Sequence, residues 1–78
     1  MMKKYTYQVE FLAKELSPYG KKYYTATGGE TLREMKALFK NFLERNELKT
    51  SGAATKGAIL NKQDQVIGKF NFGSSIIE

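Results

Sequence analysis

The sequence predicts a small α+β fold of order β-β-α-β-β, in which one amphipathic helix packs on one face of an antiparallel sheet. Three patterns support this prediction: alternating apolar residues near the start of the chain, an apolar stripe at helical spacing in its middle, and a hairpin pattern near its end. The chain has 78 residues and no internal repeat, so we expect residues 1–78 to form a single domain.

The first predicted element is a strand over residues 4–13. Side chains alternate between the two faces of a strand. The face predicted to point inward carries Tyr5, Tyr7, Val9, Phe11 and Ala13. Residues 17–20 read Ser-Pro-Tyr-Gly, which is typical of a turn. A second strand over residues 21–27 follows and ends at Gly28 and Gly29, so the two strands are predicted to form a hairpin.

The central element is a helix that begins at Thr31 and ends at about residue 45. Thr31 and Glu34 fit a capping box, in which the threonine oxygen accepts the Glu34 amide and the Glu34 carboxylate accepts the Thr31 amide. Asn46 is predicted to end the helix in a left-handed conformation. The apolar stripe predicted to face the sheet consists of Leu32, Met35, Leu38, Phe39, Phe42 and Leu43.

The segment after the helix, residues 49–57, has no apolar period and is predicted to form a mobile loop. A second hairpin is predicted from residues 57–60 and 66–72, which flank a polar turn. In its second strand, every other side chain is predicted to face the core, and these side chains belong to Val66, Gly68, Phe70 and Phe72.

The end of the chain admits two interpretations. Residues 74–78 could form a flexible tail, or Ile76 and Ile77 could dock on the core. The order of the strands does not follow from the sequence. Pairing of the first strand with the last hairpin is a hypothesis at this point.

The residue types required by common catalytic and metal sites are missing. The chain has no histidine and no cysteine, which excludes a histidine base, a thiol nucleophile and an ordinary zinc site. Its carboxylates are scattered, and Gly28 and Gly29 belong to no phosphate-binding motif. We therefore expect no catalytic residue, no metal, no cofactor and no enzymatic activity.

The sequence also shows no pattern typical of a membrane span or of an exported protein. No stretch approaches the roughly 18 apolar residues of a membrane span, and no signal-peptide pattern is present. With no cysteine to form disulfides, a cytoplasmic location without membrane contact is expected.

The charge balance is basic, with 13 lysines and arginines against 8 acids and a net charge of +5. Small basic domains often bind polyanions, although this charge also lies in the range that simply keeps small domains soluble. One helix can cover only one face of the sheet, so the other face must carry side chains of the opposite parity. We expect Leu12, Ile67 and one of Tyr23 and Tyr24 on that open face.

The predicted contact residues for a partner fall into two groups. Those assigned to the sheet are Lys21, Lys22, Tyr23, Tyr24 and Lys69, with Tyr5 as a further candidate. A second basic row on the helix consists of Arg33, Lys36 and Lys40. Each of these residues also has a simpler interpretation as an ordinary solvated surface side chain.

The sequence thus predicts a non-enzymatic binding module that contacts nucleic acid, such as DNA, through a basic surface bearing aromatic residues. The alternative is a protein-interaction module, an inhibitor or adaptor of the kind encoded by a phage or another mobile element, that uses the open sheet face. A homodimer is compatible with either hypothesis, since self-association would add buried surface to a thin core.

Overall fold

The computed structural model of the protein describes the backbone of residues 2–77 and the side chains of residues 3–74. It confirms the predicted α+β fold, with one helix on one face of an antiparallel sheet, and it adds a fifth, short strand. The elements are β1 (Met2–Phe11), a 3₁₀ turn (Lys14–Leu16), β2 (Tyr23–Gly29), α1 (Leu32–Arg45), β3 (Lys49–Gly52), β4 (Lys56–Leu60) and β5 (Val66–Ile77).

The strands lie in the order β2-β1-β5-β4-β3, and every neighbouring pair is antiparallel. The hypothesis that the first strand pairs with the last hairpin is confirmed, since β1 pairs with β5 from Met2 opposite Ile77 to Phe11 opposite Gly68. The two longest strands therefore form the centre of the sheet, and β2 and β3 form its edges.

The helix begins as predicted at its Thr31 cap, but one half of the capping box differs. The Glu34 amide donates to Thr31 Oγ1 over 3.1 Å, whereas the Glu34 carboxylate accepts the amide of Glu30, over 3.2 Å. The prediction of a bond to the Thr31 amide was wrong, because the chain enters the helix from Gly29 in a left-handed conformation with φ of 102°. That turn brings the Glu30 amide, rather than its successor, to the carboxylate.

The end of the helix also differs from the prediction in one residue. Asn46 has φ of −102°, and the left-handed residue is Glu47, with φ of 58°. Asn46 instead caps the helix through its side chain, whose amide donates to the Phe42 carbonyl over 2.9 Å. An asparagine that can satisfy a terminal carbonyl in this way does not itself need the left-handed conformation.

The apolar stripe of the helix is narrower than predicted. Met35, Phe39 and Phe42 are buried, whereas Leu32 and Leu38 remain exposed at the two sides of the stripe. A helix lying on a sheet buries only the side chains that point towards the sheet, and within residues 2–77 no second α-helix covers its flanks. The core formed with the sheet consists of Tyr7, Val9, Phe11, Met35, Phe39, Phe42, Ile59, Ile67 and Phe70.

The predicted loop over residues 49–57 is largely strand. Lys49–Gly52 forms β3, which pairs antiparallel with β4 from Lys49 opposite Leu60 to Gly52 opposite Gly57. All four residues of β3 are exposed, so this edge strand buries no apolar side chain. The sequence of β3 therefore lacks the alternating apolar residues that are the main signal for a strand.

The start of β5 reverses the predicted facing of two residues. Ile59 pairs with Gly68 and Leu60 pairs with Val66, so Ile67 is an extra residue in β5 and forms a β-bulge. The bulge shifts the alternation by one position: Ile67 is buried and Val66 is 53% exposed. The predictions of Val66 in the core and Ile67 on the open face were both wrong for this reason.

At the end of the chain, β5 continues through Ile77, where the sequence allowed a flexible tail over residues 74–78. The side chains of Ile76 and Ile77 and all of Glu78 lie outside the described part of the chain, so the docking of these isoleucines stays a prediction.

Candidate functional site

Within residues 2–77 no element packs on the face of the sheet turned away from α1, and we call this face the open face. Tyr7 contacts Phe39 and Phe42 of the helix, so the alternate residues of β1 point to the opposite side. Residues paired across neighbouring strands share a face, which extends this assignment over the whole sheet. The open face is thus formed by Thr6, Gln8, Glu10, Tyr23, Thr25, Thr27, Lys49, Ser51, Lys56, Ala58, Leu60, Val66, Lys69, Asn71 and Gly73.

The open face is concave. It forms a depression of about 800 Å³ that reaches from Tyr23 and Thr25 on β2 to Lys56 on β4, and the turn at Gly52 and Ala53 borders it. Four adjacent strands are spaced over about 14 Å. A ligand of a few planar groups therefore fits across the sheet in this depression.

One row across the depression consists of three paired residues on β2, β1 and β5, two of which form an ion pair. Glu10 lies between Tyr23 on one side and Lys69 on the other, and Lys69 Nζ is 3.1 Å from Glu10 Oε1. Hydrogen bonds from Lys69 first, and then from Tyr23, hold the pKa of the Glu10 carboxyl below its ordinary value. The same hydrogen bond to Glu10 raises the pKa of the Tyr23 phenol.

The same row carries an exposed aromatic ring, that of Tyr23, opposite Glu10. Tyr23 is 61% exposed, and its hydroxyl is directed towards Glu10. The ring surface faces solvent, so it is available to stack against a planar ligand.

The next row is polar but carries no carboxylate. Thr25, Gln8, Asn71 and Lys56 follow one another across β2, β1, β5 and β4. Their hydroxyl, amide and ammonium groups offer both donors and acceptors. Within the described side chains Lys56 forms no ion pair, so its charge is available to an anion.

The structure divides the predicted contact residues of the sheet between its two faces. Tyr23 and Lys69 lie on the open face, whereas Tyr24 lies on the helix side, with its ring stacked 4.3 Å from Tyr19 and 5.4 Å from Phe42. Tyr5 is half-buried on that same helix side. One of the two adjacent tyrosines was expected on the open face, and Tyr23 is that residue.

The remaining predicted basic residues lie away from the depression. Lys21 is on the helix side, with Nζ 5.8 Å from the centre of the Tyr24 ring, and Lys22 is exposed beside it. Leu12, expected on the open face, is 65% exposed just beyond the end of β1. The row formed by Arg33, Lys36 and Lys40 is exposed on α1, on the opposite side of the molecule from the open face.

Most residues of the depression were not among the predicted contacts, and Glu10 and Lys56 are the charged ones. Glu10 forms an ion pair with Lys69 and lies opposite Tyr23, and the signal was its open-face parity in β1. Lys56 was assigned to a loop, because β4 begins one residue earlier than the apolar pattern indicates. Its position next to Asn71 becomes evident only from the register of β4 and β5.

Other kinds of site find little support in residues 2–77. No group of three or more His, Cys, Asp or Glu side chains gathers there in a way that could hold a metal ion. The helix α1 is neither long enough nor apolar enough to cross a membrane. Comparison of the chain with protein-family models, with curated proteins and with solved structures finds no match.

Proposed function

We propose that the protein is a non-enzymatic module that binds single-stranded nucleic acid in the depression of the open face. The observation that carries this proposal is the combination of one outward aromatic ring, two lysines and a row of neutral hydrogen-bonding side chains on a rigid, concave sheet. Single-strand binders use such surfaces, because bases stack on aromatic rings while cationic side chains contact the phosphates.

Each part of the depression has a distinct role in this proposal. Tyr23 provides the stacking surface, and Glu10 lies opposite it on the neighbouring strand. Lys56 supplies the positive charge for the phosphate backbone, whereas the charge of Lys69 is balanced by its ion pair with Glu10. Gln8 and Asn71, opposite one another on the central strands, present amides that can bond to base edges.

The composition of the open face favours nucleic acid over a protein partner. The centres of protein interfaces are depleted of charged residues and rich in large apolar ones. Ile67 and Tyr24, two residues that would have given the open face such a character, are packed on the helix side instead. Leu60 and Val66 lie on the open face but do not line the depression, whose open-face side chains carry mostly hydroxyl, amide and charged groups.

The test is a fluorescence-anisotropy titration of single-stranded DNA, single-stranded RNA and duplex DNA at about 50 and about 200 mM salt. We expect the single strands to bind more tightly than the duplex. The affinity should fall with salt at a slope of about −0.7 for each phosphate contacted. Absence of binding to every oligonucleotide at the lower salt concentration would contradict the proposal and favour a protein partner.

Variants locate the binding to the open face. Tyr23→Ala should weaken single-strand binding roughly 5- to 150-fold through loss of stacking on one base. Lys56→Gln should weaken it and lower the salt slope by about one phosphate contact. The matched control is Lys40→Gln on the helix, which removes the same charge on the other side of the molecule. An equal loss in both lysine variants would place the binding elsewhere.

A further inference from the structure

Glu10 is the only acid among the described residues that line the depression. It lies in the centre of its row, opposite Tyr23 on β2 and opposite Lys69 on β5. A carboxylate repels the phosphates of a nucleic acid, and the charge of Lys69 is already balanced by this carboxylate. The row is therefore better suited to contact a base than to contact the phosphate backbone.

The Glu10 carboxylate keeps free acceptor capacity in spite of its ion pair. Lys69 Nζ lies 3.1 Å from Glu10 Oε1, and the Glu10 side chain remains 31% exposed. The two carboxylate oxygens together offer about four lone-pair sites, so further hydrogen bonds can be accepted beside the ammonium. The hydrogen bond from Lys69 also lowers the pKa of Glu10, so the group is ionised at neutral pH and acts only as an acceptor.

The ring of Tyr23 brings a base to this row. Side chains paired across antiparallel strands have Cβ atoms about 4.5 to 5.5 Å apart. A base stacked on the exposed Tyr23 ring therefore reaches the neighbouring side chain on β1, which is Glu10. In order from β5, the row offers this base one donor, the Lys69 ammonium, and then two acceptors, the oxygens of Glu10.

We propose that Glu10 and Lys69 select guanine as the base that stacks on Tyr23, an inference that rests on the proposed binding of single strands. The Watson–Crick edge of guanine carries O6, N1–H and the N2 amino group, which are one acceptor followed by two donors. O6 accepts from the Lys69 ammonium, and N1–H and the amino group donate to the two oxygens of Glu10.

The other bases match this row less well. Thymine and uracil carry a carbonyl oxygen on either side of N3–H, so one of these oxygens would face the Glu10 carboxylate. Cytosine with its amino group on Glu10 would direct the lone pair of N3 at the same carboxylate. Adenine offers only N1 and the N6 amino group, so it forms one hydrogen bond fewer than guanine.

Oligonucleotides that differ in one base test the inference. Labelled oligothymidylates of about eight nucleotides carry guanine, hypoxanthine, adenine, cytosine or thymine at one central position, and their Kd values are measured by fluorescence anisotropy at about 50 mM salt. The guanine strand should bind roughly 5- to 150-fold more tightly than the thymine strand, with the adenine strand between them. Hypoxanthine lacks only the N2 amino group of guanine and should bind roughly 2- to 10-fold more weakly than guanine.

Glu10→Gln separates the selection of the base from the attraction of the phosphates. Removal of the negative charge should strengthen binding of the thymine strand, whereas the ratio of the thymine Kd to the guanine Kd should fall towards one. A carboxylate that only stabilises the sheet would not change the two quantities in this way. Glu15→Gln is the matched control, since it removes the same charge at an exposed glutamate of the 3₁₀ turn, and it should keep the preference for guanine.

The outcomes distinguish a failure of guanine selection from a failure of the proposed function. Equal Kd values for all five strands, or a guanine preference that Glu10→Gln leaves unchanged, would overturn the selection of guanine and leave single-strand binding in place. Binding of none of the strands would overturn both. Guanosine monophosphate is the competitor: if it displaces the guanine strand as well as an unlabelled copy of that strand does, the guanine contact holds and the binding of a strand does not.

Discussion

The two faces of the sheet are made by neighbouring residues and have opposite chemistry. Tyr24 stacks between Tyr19 and the helix residue Phe42, whereas Tyr23, one position earlier, is 61% exposed and directed towards Glu10. On β5, Lys69 lies on the open face and Phe70 is buried against Phe39. The apolar core therefore lies on the helix-covered face, and the open face carries mostly exposed polar side chains.

The largest expected difference between the two faces is the loss in the free energy of unfolding when an aromatic side chain is truncated to alanine. Phe39 is buried and its ring lies near those of Tyr7, Phe42, Phe70 and Phe72. Phe39→Ala should lower the free energy of unfolding by about 3 to 5 kcal/mol in a urea titration, through lost burial and a residual cavity. Tyr23→Ala on the open face is the control and should unfold at nearly the same urea concentration as the unmodified protein.

Two glycine-to-alanine variants, one on each face, repeat the test with a single added methyl group. A Cβ on Gly28 would overlap Cα and Cβ of Met35, because β2 approaches the helix at this point. Gly28→Ala should therefore destabilise the protein by about 1 to 3 kcal/mol. A Cβ on Gly73, which lies beside Thr6 on the open face, would meet only the threonine hydroxyl at 3.6 Å. Similar losses in Gly28→Ala and Gly73→Ala would contradict the assignment of the two faces.

The helix-covered face should also make the protein sensitive to alkali. Burial, followed by interactions with Tyr24, raises the pKa of the Tyr7 phenol above its ordinary value. A group whose pKa is higher in the folded state contributes its full stability below its unfolded pKa, near 10, and that contribution is lost as pH rises further. Each pH unit above about 10 should cost up to about 1.4 kcal/mol for Tyr7, because only the unfolded chain loses the proton.

Tyr7→Phe removes this contribution. Urea titrations at about pH 9 and about pH 11 should show a smaller loss of stability for Tyr7→Phe than for the unmodified protein. An identical loss in the two proteins would mean that the Tyr7 phenol ionises as readily in the folded state as in the unfolded chain.

Much of the fold follows from the sequence, because the elements that bury apolar surface leave a clear periodic signal. The inner face of β1, the Thr31 cap and the buried positions of α1 are all of this kind. The strand β3 buries nothing, and the bulge at Ile67 depends on how β4 and β5 pair. Neither feature has a local cause that a pattern along the chain could reveal.

The candidate site was less accessible to sequence reasoning for a related reason. Strand alternation predicts only that one of Tyr23 and Tyr24 lies on the open face. The packing of the Tyr24 ring on Phe42 determines that this residue is Tyr23. Lys56 and Lys69 are 13 positions apart in the chain, and Lys56 comes onto the open face beside Asn71 only through the register of β4 and β5. The spacing of residues along the chain does not reveal which strands pair over such a distance.

The smallest expected effect concerns the open face alone. Glu10→Gln removes the negative charge that holds Tyr23 and Lys69, and stability should stay nearly unchanged because both partners are exposed. The pKa of the Tyr23 phenol, which the bond to Glu10 raises, should fall towards its ordinary value. An NMR titration of the tyrosine ring signals measures this shift, and Glu15→Gln, at an exposed glutamate in the 3₁₀ turn, is the control. If the Tyr23 pKa is the same in Glu10→Gln, the carboxylate does not orient the ring, and the open face presents a mobile tyrosine instead of a fixed stacking surface.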